Sequence, residues 1–182
     1  FTINKKKFKY ENKYFQIEIL KRILVTCSGS IYSPRSRSIK LFLDKYLKLE
    51  NVKFTIHSCI IECSSDEIYI FREYVKTSTL NPQQLTIKKQ NSVIWDNRFL
   101  ISSSLCDVKC LVFNENIWLK LKKQYKTTKD SQNISYDMLK TLPVLSKKNI
   151  MIIPFLTDKN IMTSNGISVC FKPQIPLTKK NF

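Results

Sequence analysis

Glycine is nearly missing from this chain: Gly29 and Gly166 are the only two among 182 residues. A loop that cradles phosphate needs several close glycines, so that backbone N–H groups can reach the anion without Cβ clashes. A Walker loop, a dinucleotide fingerprint and an S-G-G-x-D-S pyrophosphatase loop are therefore all absent. Alanine does not occur, histidine occurs once as His57, and arginine five times. No apolar run approaches the roughly 18 to 20 residues that span a bilayer, so the expectation is a soluble, cytoplasmic protein. Phe1 to Glu11 has neither the apolar core nor the small-residue cleavage site of a signal peptide, and the first residue is not Met. The chain reads as part of something longer.

Acidic residues are scarce too. Fourteen Asp and Glu stand against 31 Lys and Arg, a formal charge of +17, which points to a polyanionic partner. The excess is mostly lysine and accompanies abundant Ile and Asn without Ala, the usage of an AT-rich genome. Part of the charge is therefore codon drift, and the arginines are the more informative cations. The 43% hydrophobic and 12% aromatic content predicts a packed fold, since disordered chains lack the apolar surface that offsets ordering entropy.

Six cysteines include two C-x-x-x-C pairs, Cys59/Cys63 and Cys106/Cys110, with His57 before the first. Structural zinc favours C-x-x-C knuckles in tight turns, whereas these pairs lie in alternating segments that read as strands. Positions four apart on a strand share a face but sit about 13 Å apart, too far for one metal. Reduced packing cysteines, and no metal, are expected.

The apolar period divides the chain. Phe15, Ile19, Ile23, Leu24 and Cys27 recur at helical spacing and Ser28-Gly29-Ser30 ends the run. Ser33-Pro34-Arg35 supplies an N-cap and a first-turn proline to a second helix, whose stripe is Ile39, Phe42, Leu43, Tyr46 and Leu47. From Phe54 the period changes to 2. The expected fold is α+β: a helical segment, residues 1–50, then a mostly antiparallel β-rich domain with short helices, residues 51–182. Strands are expected over Phe54–Cys63, Glu67–Val75, Ser92–Ser102, Asp107–Phe113, Asn149–Phe155 and Ile167–Phe171, helices over Ile117–Tyr125 and Ser135–Leu142, and mostly loop over Lys76–Asn91.

Catalytic chemistry finds no support in the residues. His57 lacks a nucleophile context, the carboxylates are scattered, and there is no phosphate loop. Phosphate contact is better supported, because it asks only for cations on a common face. The candidates are Arg35, Arg37 and Lys40 on the second helix; Lys120, Lys122, Lys123 and Lys126, with Lys129, about the third; and Arg72 and Arg98, whose forks suit phosphate oxygens. Trp95 and Phe99 are expected in the core. Strand alternation puts Arg98 beside Asp96, either as an exposed ion pair at the rim or as a cation reaching RNA with Asp96 holding the guanidinium in place.

Five segments in order carry a resemblance: Ser33-Pro34-Arg35-Ser36, Thr55-Ile56-His57-Ser58-Cys59, Arg72-Glu73, Trp95-Asp96-Asn97-Arg98-Phe99 and Leu142-Pro143-Val144-Leu145. Together they resemble the C-terminal region of tRNA(Ile)-lysidine synthetases of the rickettsia-like kind, with P-R-S, T-L-x-G-C, R-E, W-D-x-R-F and L-P-x-L in that sequence. Ser58 departs from the pattern, which favours Gly. The resemblance implies an enzyme that uses ATP and magnesium to join lysine to the wobble cytidine of an isoleucine tRNA with a CAU anticodon. It places the catalytic ATP-pyrophosphatase domain N-terminal to the matched region, so this chain is expected to be inactive alone, with no cofactor of its own, and to grip the tRNA. Two other classes stay open: a freestanding RNA-binding or ribosome-associated protein, and a self-contained enzyme that gathers His57, Asp96 and Cys59 in one cleft.

Overall fold

The computed structural model describes residues 1–125, 134–147 and 150–178. Helices and mostly antiparallel strands in three sheets make an α+β fold, as the change of period predicts. The chain divides into two compact units, Phe1–Glu73 with the segment from Lys172 onward, and Tyr74–Phe171. Residue 50 lies within the first unit, whose helices bury their apolar stripes against the strands that follow.

The first unit opens with β1 (Thr2–Asn4), then α1 (Lys5–Tyr10), α2 (Lys13–Ser28) and α3 (Ser36–Leu41), which runs into a π turn, Phe42–Tyr46. Asn12 caps α2 by accepting from the Phe15 N–H, and Gly29 ends it in the left-handed region at φ 66°. Helix α3 begins later than Ser33-Pro34 suggests. Its N-cap is Arg35, in extended backbone and without a side-chain cap. The expected Phe54–Cys63 strand is a hairpin, β2 (Val52–Ile56) and β3 (Cys59–Cys63), folded at His57-Ser58. Ser64-Ser65-Asp66 turns the chain into β4 (Glu67–Arg72), and the antiparallel order is β1-β4-β3-β2.

Period-2 alternation sends Cys59, Ile61 and Cys63 inward to meet Leu20, Leu24, Cys27, Ile39 and Phe42 from the helices. Burying each such aliphatic or aromatic side chain contributes about 1.5 to 3 kcal/mol, which holds the helices to the sheet. Lys5 is 2% exposed because its ammonium donates to Leu49 O at 2.8 Å and Ser64 O at 2.7 Å. The C-terminal segment returns here, where Thr26 Oγ1 donates to Ile175 O at 3.0 Å.

The second unit starts with α4 (Tyr74–Leu80) and β5 (Gln84–Ile87), in a stretch whose polar residues and Pro82 suggested mostly loop. The expected strand Ser92–Ser102 is a second hairpin, β6 (Asn91–Trp95) and β7 (Phe99–Ser103). Its three-residue connection preserves parity, so Trp95 faces Phe99 and Val93 faces Ile101 on one core side, as the alternation indicated. Then follow β8 (Val108–Leu111), α5 (Glu115–Tyr125), α6 (Tyr136–Leu139), β9 (Val144–Lys147), β10 (Ile150–Ile152), α7 (Lys159–Ser164) and β11 (Ile167–Phe171). The sheets are β10-β9-β8-β5 and β11-β7-β6.

Adjacent residues on β9 show how the layers stack. Leu145 joins the core shared by the two sheets, with Ile87, Trp95, Phe99 and Ile101, while Val144 joins the cluster of Phe113, Ile117, Leu121 and Leu139 under α5 and α6. The two faces of β9 thus meet different clusters, whereas Lys109 on β8 and Thr86 on β5 keep their side chains in water.

Candidate nucleic-acid interface

Helix α3 buries Ile39 and turns the opposite arc to solvent, so Arg35, Arg37 and Lys40 are all exposed. The loop before it presents Ile31 and Tyr32, the tyrosine 73% exposed. Helix α5 does the same in the second unit: Ile117 and Leu121 are buried, Lys120 is exposed and Lys122 half-buried. The side chains of Lys123 and Lys126, and Lys129, lie outside the described residues. Cations with water on most sides keep their hydration until a phosphate displaces it, which is the arrangement counterion-release binding uses.

Arg72 and Arg98 are placed otherwise and leave the candidate set. Arg72, the last residue of β4, is 3% exposed and directs Nη1 at Ser58 O, 3.4 Å away, while the Glu73 N–H donates to the same carbonyl at 3.0 Å. Arg98 is 4% exposed. Its Nε donates to Asp96 Oδ2 at 2.7 Å, its Nη2 lies 2.6 Å from the same oxygen and donates to Thr141 O at 2.8 Å, and its carbon Cζ stands 4.9 Å from the Phe99 ring centroid. Asp96 also accepts from Thr77 Oγ1 at 3.3 Å and Asn81 Nδ2 at 3.2 Å, and its N–H donates to Asn81 Oδ1 at 2.9 Å. A guanidinium engaged with a carboxylate and a carbonyl inside the unit has no fork to offer a phosphate. The W-D-x-R-F segment is a buried clasp joining α4, the β6–β7 turn and the end of α6.

The backbone explains two further residues. Both central positions of each hairpin turn have positive φ: His57 at 51° and Ser58 at 58°, Asp96 at 52° and Asn97 at 54°. Type I′ turns require this, and Asn and Asp tolerate it better than Ser. Ser58 therefore occupies a position that suits Gly, the residue the resemblance leads one to expect. His57 sits at the turn, and burial lowers its pKa first, with the nearby Arg72 charge adding to this and a hydrogen bond to the Tyr32 backbone opposing it.

Cys27, Cys59, Cys63 and Cys110 are buried free thiols, Cys106 is half-buried and Cys170 exposed. Burial pushes the Cys110 thiol up to about 12, which keeps it protonated and unreactive. His57 and Cys59 belong to the first unit and Asp96 to the second. Gly29 closes a helix C-terminus, and Gly166 follows α7, where a Cβ would lie 2.5 Å from Leu105 Cγ. Neither glycine opens a helix. Among the described residues, no helix is long and apolar enough to cross a membrane.

Similarity to known proteins covers most of the chain. The tRNA(Ile)-lysidine synthase of Rickettsia akari is 26% identical over 160 residues, which are 82% of this chain and 35% of that protein. The synthase of Rickettsia conorii is 29% identical over 160 residues, covering 82% and 31%, and that of Rickettsia typhi 29% identical over 155 residues, covering 82% and 35%. No family model and no solved structure matches. The chain spans about a third of the length of these curated relatives. The resemblance carried by the five ordered segments thus extends over four-fifths of the molecule, and what this chain is similar to is one part of the tRNA(Ile)-lysidine synthases of Rickettsia.

Proposed function

We propose that this chain is the C-terminal, tRNA-binding part of a tRNA(Ile)-lysidine synthetase, and that it holds the isoleucine tRNA with the CAU anticodon through the exposed cations of α3 and α5. The observation that carries this reading is the similarity over 82% of the chain to about a third of the length of synthases whose name gives tRNA(Ile) as the substrate. Solvent-facing Arg35, Arg37, Lys40 and Lys120 support it, since they are the groups a phosphate backbone would meet first.

In the complete enzyme, cytoplasmic as the resemblance implies, ATP and magnesium supply the adenylation that makes the wobble cytidine reactive. The part described here contributes position. A remote grip fixes the orientation of the anticodon and so pre-organises the encounter without touching the reacting base. The test is a gel-shift titration of the 182-residue chain with the unmodified isoleucine tRNA. Binding that weakens on Arg35→Ala, Arg37→Ala and Lys40→Ala together supports the reading; no binding at low salt, or binding indifferent to those changes, overturns it.

A further inference from the structure

The N-terminal helices carry a surface that the α3 and α5 cations do not explain. On α1, Lys5 and Phe8 are buried, and Lys6, Lys7, Lys9 and Tyr10 fill the outer arc. Tyr10 is 92% exposed, and just beyond it, at the start of α2, Tyr14 is 72% and Phe15 54% exposed. The Tyr14 and Phe15 rings meet edge to face, with centroids 6.4 Å apart. Three large aromatic side chains between Tyr10 and Phe15 thus stand in water among the described residues, and exposed apolar groups of this kind mark contact surfaces.

The charge decides which contact. In sequence the rings are flanked by Lys5, Lys6, Lys7, Lys9 and Lys13, and Glu11 is the lone acid between Thr2 and Phe15. Lys6 pairs with Asp66 at 3.0 Å and Lys13 with Asp44 at 2.6 Å, both well exposed, so each pair holds its partner weakly and opens readily to a stronger anion. An apolar protein face would have to strip water from these ammonium groups, whereas a phosphate backbone would neutralise them. Flat rings set among phosphate-seeking lysines are what unpaired nucleotides use: the bases stack and the backbone follows the charge. The Lys13–Asp44 pair also joins this surface to the turn that ends α3, so it is continuous with the side of the unit that bears Arg37 and Lys40.

We infer that the outer face of α1 and the first turn of α2 is a stacking site for unpaired RNA, in which Tyr10 and Tyr14 take the bases and Lys6, Lys7 and Lys9 the phosphates. The inference rests on the proposed RNA partner but adds a chemical class to it, single-stranded rather than helical segments.

Fluorescence anisotropy of the 182-residue chain tests it with two probes, a labelled oligouridine of about 12 nucleotides and an RNA duplex of similar length. Changing Tyr10 and Tyr14 together to Ala is expected to weaken oligouridine binding about tenfold or more. Duplex affinity should change less than about twofold, because the lysines remain. Tyr10→Phe with Tyr14→Phe keeps the rings and should restore oligouridine binding. Equal losses on both probes, or none on either, overturn the inference; the second result would make the rings a protein contact. If the unaltered chain binds duplex and tRNA but not oligouridine, the stacking site falls while the proposed function stands. If it binds none of the three, both fall.

Discussion

Asp96 and Arg98 are two residues apart, and their side chains meet at 2.6 Å inside the second unit, 0% and 5% exposed. Placing two charges in such surroundings costs solvation, which their attraction and the donors of Thr77 and Asn81 offset. The cost becomes visible when one partner is removed.

Arg98→Ala leaves the Asp96 carboxylate buried without its cation and should destabilise the second unit by about 3 to 5 kcal/mol. Arg98→Lys keeps the charge but loses the fork that serves Asp96 and Thr141 O together, so it should be intermediate. Urea unfolding measures both. A loss below about 1 kcal/mol for Arg98→Ala would be the behaviour of an exposed pair and would contradict the buried clasp.

Alternation told correctly that Trp95, Phe99, Val93 and Ile101 share the core; it put Arg98 beside Asp96 at an exposed rim, where the structure has the pair buried. It did not tell that the chain reverses between them. The Asp96-Asn97 turn lacks glycine, and a three-residue connection keeps the period-2 pattern in step, so a hairpin reads like one continuous strand. The His57-Ser58 connection has only two residues, so the inward set shifts by one, from Phe54 and Ile56 to Cys59, Ile61 and Cys63; the unbroken run of β-formers hid that hairpin, since neither turn residue is Gly or Asn. The burial of Arg72 and Arg98 was illegible because arginine types are shared by phosphate sites and interior clasps; the partners that decide, Thr141 O and Ser58 O, are backbone atoms distant or unremarkable in sequence. The exposure of Arg37, Lys40 and Lys120 was readable because a helical stripe fixes its own opposite face.

His57 is the one histidine, so its ring protons titrate without overlap in an NMR spectrum. Its folded pKa lies below the ordinary 6.5, chiefly through desolvation. The unfolded chain therefore binds the proton more readily, and stability is full above about pH 6.5 and declines as pH falls from there toward the folded value. His57→Asn suits the positive φ and cannot titrate, so it should flatten that decline. A titration midpoint at or above 6.5 contradicts the environment described.

Ser58 and Gly166 make opposite cases of one rule. Ser58→Gly relieves a side chain at φ 58° and should stabilise by up to about 1 kcal/mol. Gly166→Ala adds a Cβ at φ 67° that lies 2.6 Å from Ser104 Oγ and 2.5 Å from Leu105 Cγ, and should cost about 1 to 3 kcal/mol. Thermal melts of the two variants should shift in opposite directions; a shared direction would contradict the assigned backbone.

The isolated chain should transfer no labelled lysine to the isoleucine tRNA in the presence of ATP and magnesium, because neither Gly29 nor Gly166 opens a helix that could receive the phosphates. Transfer above background would contradict the assignment of this chain to positioning alone.

The salt dependence of tRNA binding is the most direct measurement of the proposed interface. Each phosphate contact in a helical region contributes about −0.9 to the slope of log affinity against log salt, so five contacts from Arg35, Arg37, Lys40, Lys120 and Lys122 give roughly −4 or steeper. Replacing these five by Ala, with Arg98 left in its clasp, should flatten the slope by about 4 and leave the second unit folded. A slope that the five replacements do not change would contradict the proposed interface and return the basic charge to codon drift.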